Sequence, residues 1–533
     1  MTVTQPSTAE RVAAVRQTLS AGSLDEAVTD ARALLEAHPS DLRCRLLWAE
    51  LLAAQDKRAE VVDYASSLLK QWPDNPWVLS RLVSAYVANG DADAALSLYR
   101  DKVEPSALPE ADKTRIARNL AAANRSHPQA LVILEQRLSA APDDPALARD
   151  SASALFALGR LDEAVDRFER AARLAPLPAW AAFLHVTSLV QRRRLAGTVP
   201  VVDAAILDCL GDALKRFPDD ALFVRAFNGL PIASPDWHRL YRLIRSHVSP
   251  ARTNGLLQFE TAKACLQAGE PETTRAILQG LDPASHWGTV AKPLLSVLDT
   301  LPDTVWQRAR FDDDPAAEVQ IVRREGARRT IVVFATLTGN FMMLPLACLD
   351  ALLADVPANV VYLRDTVFGS AISGLRSLGP DISSTVSHLR RLIADLGAPE
   401  LTMVGASVSG LSAIRYGARL GADRATCFGA LTTVDPEFQG TPSRLQRTLR
   451  VMQQDSAATE RFDDVVTELA QAPGMGVEMF VGDACELDLK QAARLETIPQ
   501  IHIHHEADVA HHYVALAMIA RHRFVEAITG QAN

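Results

Sequence analysis

The chain has 533 residues, 48% of them hydrophobic and 22% charged, which is too long for one core and too apolar for a disordered chain. Lys+Arg 55 against Asp+Glu 64 gives a net charge of −9, and without a basic tract nothing points to nucleic acid or an anionic membrane. Six cysteines (Cys44, Cys209, Cys265, Cys348, Cys427, Cys485) stand singly without a CxxC, which excludes a zinc knuckle or a disulfide framework and fits a reducing compartment. The start, MTVTQPSTAERVAAV, lacks the basic and apolar regions of a signal peptide, and no run of about 18 apolar residues occurs. A cytoplasmic protein with no membrane span is expected.

In chain order, the first elements repeat. GSLDEAV (22–28), GDADAAL (90–96) and GRLDEAV (159–165) are copies, with Gly22, Gly90 and Gly159 separated by 68 and 69 residues and Ala27, Ala95 and Ala164 in step. Pro39 and Pro73 lie 34 apart, as do Pro142 and Pro176. Glycine ends a first helix, alanine lets two helices approach, and proline stops the second. The 34-residue interval and the spacing within GRLDEAVDRFERAARLAP resemble tetratricopeptide repeats. That resemblance implies an all-α solenoid over 1–180, used for self-association or for holding a peptide or partner protein. Over 181–310 the phase decays, and LLQFETAKACLQAG and TTRAILQGLDP indicate divergent helical repeats or an irregular helical extension.

Near residue 315 the period changes. FDDDP (311–315) is acidic and proline-ended, as a linker would be. Beyond it, VQIVRR, TIVVFAT, NVVYLRD, ELTMVGAS, RATCFGAL, VEMFVGD and PQIHIHH read as strands. Helical patterns alternate with them, the last being YVALAMIARHRFVEAI, so 316–533 is expected to hold a mainly parallel sheet covered on both faces. A polar helical stretch at 441–472 falls where a cap over a site would sit.

One strand-to-helix turn carries chemistry. Gly405-Ala406-Ser407-Val408-Ser409-Gly410 resembles the nucleophile elbow of α/β hydrolases, in which small neighbours let the helix approach the strand beside an exposed serine. The usual second glycine is replaced by Ser409, whose Cβ tightens the fit. The hydrolase order then requires an acid after a later strand and a histidine after the last. His512 is the preferred base because it directly precedes the closing helix, with His511 the alternative. Asp483 at its strand end is the preferred acid, Asp488 the alternative and Glu486 third. His502, His504 and His505 alternate on a strand and are read as packed or hydrogen-bonded residues; no carboxylate or cysteine cluster accompanies them, so no metal site is expected. The oxyanion donors would be the N–H of Val408 and an N–H in Thr336-Leu337-Thr338-Gly339, taken as Leu337.

At lower specificity, 320–530 resembles a bacterial group of hydrolase-like proteins that often carry tetratricopeptide repeats and are associated with surface polysaccharide. The likeness rests on Arg364-Asp365, the elbow and the final histidine. Arg364 and Asp365 are either a substrate-positioning pair or, with more weight, a buried sheet-edge salt bridge. Two functions follow from the resemblances. One is a serine hydrolase or acyltransferase in which Ser407 attacks an ester or acyl carbonyl, His512 moves the proton, and an aspartate orients His512. The other is a scaffold with a silent hydrolase-like domain. No Walker motif, GxGxxG or pyridoxal-lysine context is present, so no cofactor is implied.

Overall fold

A 34-residue step sets the architecture of the first part of the chain. In the computed structural model, which describes residues 6–246, 254–433, 435, 438 and 464–530, helices begin at Thr8, Leu42, Pro76, Glu110 and Pro145. Each is followed by a second helix, giving five hairpins within the compact unit formed by residues 1–188. The region is a tetratricopeptide-like helical array. Gly22, Gly90 and Gly159 turn between the two helices with φ of 90°, 88° and 76°, a conformation that costs glycine little. Ala27, Ala95 and Ala164 are fully buried where the second helix meets its neighbours, and Pro39, Pro73, Pro142 and Pro176 lie just beyond second helices. Two of the five hairpins carry no glycine in the turn. In one, Asp56 takes the left-handed conformation instead (φ 57°).

Residues 189–533 form the second compact unit. It opens with helices, among them Ala204–Arg216, Ala221–Gly229, Ser234–Arg245, Gly255–Gln267 and His286–Thr300. The change of period near residue 315 thus lies inside this unit. The acidic segment expected to be a linker is built into it. Asp313 pairs with Arg364 at 2.6 Å and accepts the backbone N–H of Leu346, while Asp314 accepts that of Ser234. Its charges serve as hydrogen-bond acceptors for packed elements, which composition alone does not reveal.

Among the described residues seven strands follow: β1 (Val319–Val322), β2 (Arg329–Phe334), β3 (Ala358–Leu363), β4 (Glu400–Ala406), β5 (Arg424–Phe428), β6 (Gly476–Gly482) and β7 (Ile501–Glu506). Their order in the sheet is β1-β3-β2-β4-β5-β6-β7, with β1 antiparallel to β3 and every other pair parallel. Strands β2 to β5 are buried nearly end to end, as a sheet covered on both faces requires. Its core includes Val332, Phe334, Met403, Leu411, Ile414 and Val477. The single closing helix expected at the end is two, Val514–Ala520 and Phe524–Thr529. His522 breaks it with φ 57°, and Arg523 turns back onto the buried carboxylate of Glu506 on β7. Of the stretch expected as a cap, 441–463 lies outside the described residues; Val465–Ala470 is a short helix.

Candidate active site

Strand β4 is the middle strand, and Ser407 stands one residue past its end, ahead of the helix Val408–Leu420. Its backbone is held at φ 55°, ψ −129°, a region that costs a non-glycine residue about 1–3 kcal/mol. Three backbone bonds enforce it: Ser407 N–H donates to Phe428 O, and Ser407 O accepts from Gly410 N–H and Leu431 N–H. The approach of helix to strand explains the small residues. A Cβ at Gly405 would stand 2.2 Å from Ser409 O, and one at Gly410 would stand 2.3 Å from the Ala430 Cβ. Close packing therefore falls on Gly410. Ser409 instead folds its hydroxyl back, donating to Ala406 O and accepting from Ala406 N–H. The departure from the usual motif thus satisfies the strand end.

Among the sequence-selected acids, Asp488 is the one placed at His512. Asp488 Oδ1 lies 2.5 Å from His512 Nδ1, with the carboxylate buried and the ring mostly so. Asp483, preferred from the sequence, accepts the N–H of Val509 and so braces the loop after β7. Glu486 is exposed and pairs with Lys490. His511 points elsewhere: its Nδ1 accepts the N–H of Tyr513, and burial pushes its pKa down. Asp488 lies in the first turn of the helix Glu486–Ala493, not at the strand end. Gln491 of that helix fixes its position by accepting the N–H and hydroxyl of Thr432.

A glycine that the sequence analysis did not single out joins the two halves of the site. Gly429 (φ 51°) follows β5 directly, between Phe428, which holds Ser407 N–H, and Leu431, which holds Ser407 O. A Cβ there would sit 2.9 Å from Asp488 Oδ2 and 3.1 Å from His512 O. The signal was visible in TCFGAL as a glycine ending an apolar strand, but only the fold shows what it faces. Gly429→Ala is expected to destabilise the protein by about 1–3 kcal/mol through backbone strain and crowding. It should also displace the Asp488–His512 pair, seen as a loss of the downfield imidazole N–H proton resonance. An unchanged melting temperature and spectrum would show that the turn tolerates the methyl group.

Two N–H groups face the same end of the sheet. Val333 pairs with Val404, so the loop after β2 reaches the level of Ser407 at Thr336 and Leu337. Among the described residues, neither Leu337 N–H nor Val408 N–H has a hydrogen-bond acceptor in the protein. Asn340 shapes this loop, its backbone carbonyl accepting from Thr336 and its side chain from Thr338 and Met343. The Ser407 hydroxyl caps no helix N–H, and among the described residues it makes no hydrogen bond, to His512 or to any other group. Contacts of this kind often tighten only with substrate bound.

Arg364 and Asp365 are not paired with each other. Arg364 is buried and donates to Asp313 and to the carbonyls of Gly339, Asp314 and Ala317. Asp365 accepts the N–H groups of Val367, Phe368, Ser370 and Ala371. Both hold loops at the sheet end. His502 and His504 reach Glu478 on β6, with His504 stacked on Phe480 at 4.5 Å, and His505 is exposed. No group of three or more His, Cys, Asp or Glu that could hold a metal occurs among the described residues.

No protein-family model matches the chain, and no curated protein does. Similar solved structures include pilF of Pseudomonas aeruginosa at 16% identity, covering 41% of this chain and 96% of that one with a TM-score of 0.30. PilW, a widely conserved type IV pilus biogenesis factor, is 12% identical over 41% of this chain and 97% of that one, with a TM-score of 0.33. The TPR protein YrrB, which has an unusual peptide-binding site, is 16% identical over 37% and 96%, with a TM-score of 0.27. No helix among the described residues is long and apolar enough to cross a membrane.

Proposed function

We propose that the second unit is a serine hydrolase or acyltransferase of α/β-hydrolase type, with Ser407 as nucleophile, His512 as general base and Asp488 as the acid that orients it. The observation carrying this is the 2.5 Å Asp488–His512 contact, joined through the Gly429 turn to a serine held at φ 55° on the middle strand. In the cycle, His512 Nε2 takes the Ser407 proton as Oγ bonds to the acyl carbon. The negative charge forming on the carbonyl oxygen is met by the N–H groups of Val408 and Leu337. The leaving group departs with the proton from His512, and water or another acceptor repeats the sequence in reverse roles. Labelling with a fluorophosphonate probe tests the assignment, since it needs only an activated serine.

The repeats are proposed to hold a protein partner, which fits a protein acting on a substrate presented by that partner. Supporting this are two large aromatic side chains left exposed on the array: Trp77, with Arg115 stacked at 4.4 Å, and Trp180, flanked by Arg125 and Arg149. Exposed aromatics with stacked arginines are the side chains that dominate binding energy at interfaces. The double variant Trp77→Ala/Trp180→Ala is expected to weaken capture of a crosslinked partner at least tenfold, while Ser407→Ala retains it. Equal loss from Ser407→Ala would place the contact at the elbow.

A further inference from the structure

A small polar cleft of about 50 Å³ opens in the second unit between the loops after β2 and β3 and the helices Ala221–Gly229, Ser234–Arg245 and Gly255–Gln267. Its wall carries Arg194, Lys263, Arg364 and Asp365, with Trp237 and Leu337. Three of the four charges are already answered by the protein. Lys263 Nζ lies 2.9 Å from Glu260, Arg364 lies on Asp313, and the Asp365 oxygens are taken up by four backbone N–H groups. Arg194 is the exception. Its Nε is buried with no acceptor, and among the described residues its guanidinium makes neither a hydrogen bond nor an ion pair. Burial lowers its pKa against the pull of the Asp365 charge, yet a guanidinium stays protonated and keeps five donors to satisfy. A planar fork of donors in a polar cleft, with its neighbours already saturated, matches the geometry of an incoming carboxylate or phosphate.

The cleft adjoins the proposed site through the loop after β2, since Leu337, the proposed second oxyanion donor, forms part of its wall. We propose that this cleft binds an oxyanionic group of the substrate, so that the ester or acyl compound attacked by Ser407 carries a carboxylate or phosphate held by Arg194. The substrate class rests on the nucleophile assignment above; anion binding by the cleft does not.

The test therefore has two arms, both on the full chain. In the first, isothermal calorimetry measures binding of succinate and of inorganic phosphate to the wild type, Arg194→Gln and Arg194→Lys. At least one anion is expected to bind, with affinity falling tenfold or more in Arg194→Gln and recovering in part in Arg194→Lys, which keeps the charge but not the fork. Binding of succinate alone identifies a carboxylate as the ligand, and binding of phosphate alone a phosphate. In the second, the ratio of kcat/KM for mono-p-nitrophenyl succinate to that for p-nitrophenyl butyrate is expected to exceed one and to fall about tenfold in Arg194→Gln. Should Arg194→Gln not fold, a severalfold loss in Arg194→Lys at unchanged melting temperature carries the same weight. Absence of binding by either anion, or binding indifferent to Arg194 in folded variants, overturns the cleft assignment. If anions bind through Arg194 but no ester is turned over, the nucleophile assignment fails and the anion site stands.

Discussion

Ser407→Ala is expected to abolish fluorophosphonate labelling and to reduce kcat/KM for short p-nitrophenyl esters by about 10⁴-fold or more, while shifting the melting temperature by no more than about 2 °C. The two halves of this expectation have different physical origins. The rate falls because the covalent path disappears; the Val408 and Leu337 donors can still polarise a carbonyl, but only water is left to attack it. Stability is preserved because the hydroxyl makes no hydrogen bond among the described residues and is not packed in the core. Alanine at φ 55° is no more strained than serine. A wild type that neither labels nor hydrolyses any ester in a broad panel would decide for the scaffold function instead. A Ser407→Ala protein that labels as strongly as the wild type would move the nucleophile to another serine.

How much of this site could be read in the chain depended on the range of the interaction. The elbow was legible because its requirements are local: small residues within three positions of Ser407, after an apolar strand. The repeat was legible where glycine made the turn and not where Asp56 did, since a non-glycine residue in the left-handed conformation leaves no compositional mark. The position of the acid was ambiguous because Asp483 and Asp488 lie within five residues of each other after the same strand. Only the packing of the helix Glu486–Ala493 against Thr432, through Gln491, decides which one faces His512. Gly429 and Arg194 lay further still from any local signal. Their significance comes from what they meet at about 60 to 170 residues' remove, in Asp488 and His512 for the one and in the loops after β2 and β3 for the other. The linker expected at 311–315 shows the converse error: an acidic, proline-ended segment looks solvated until its partners, here Arg364 and the N–H of Leu346, are known.

The sharpest separation is expected between the two aspartates. Asp488→Asn should lower kcat by about 10³–10⁴-fold, because an asparagine amide presented to His512 Nδ1 favours the tautomer with the proton on Nε2, which cannot accept the serine proton. His512→Ala should cost at least as much, whereas His511→Ala, at a ring whose Nδ1 accepts the N–H of Tyr513, should cost little. Asp483→Asn removes only a charge from an acceptor of the Val509 N–H and retains a carbonyl oxygen able to take the same bond. It should change kcat by less than about threefold and the melting temperature by a few degrees at most. If Asp483→Asn proved the more damaging, the Asp488–His512 contact would be structural and the orienting role would return to the strand end. Equal and large losses from both would instead point to a rearranged loop, which the retained or lost downfield imidazole N–H proton resonance would distinguish.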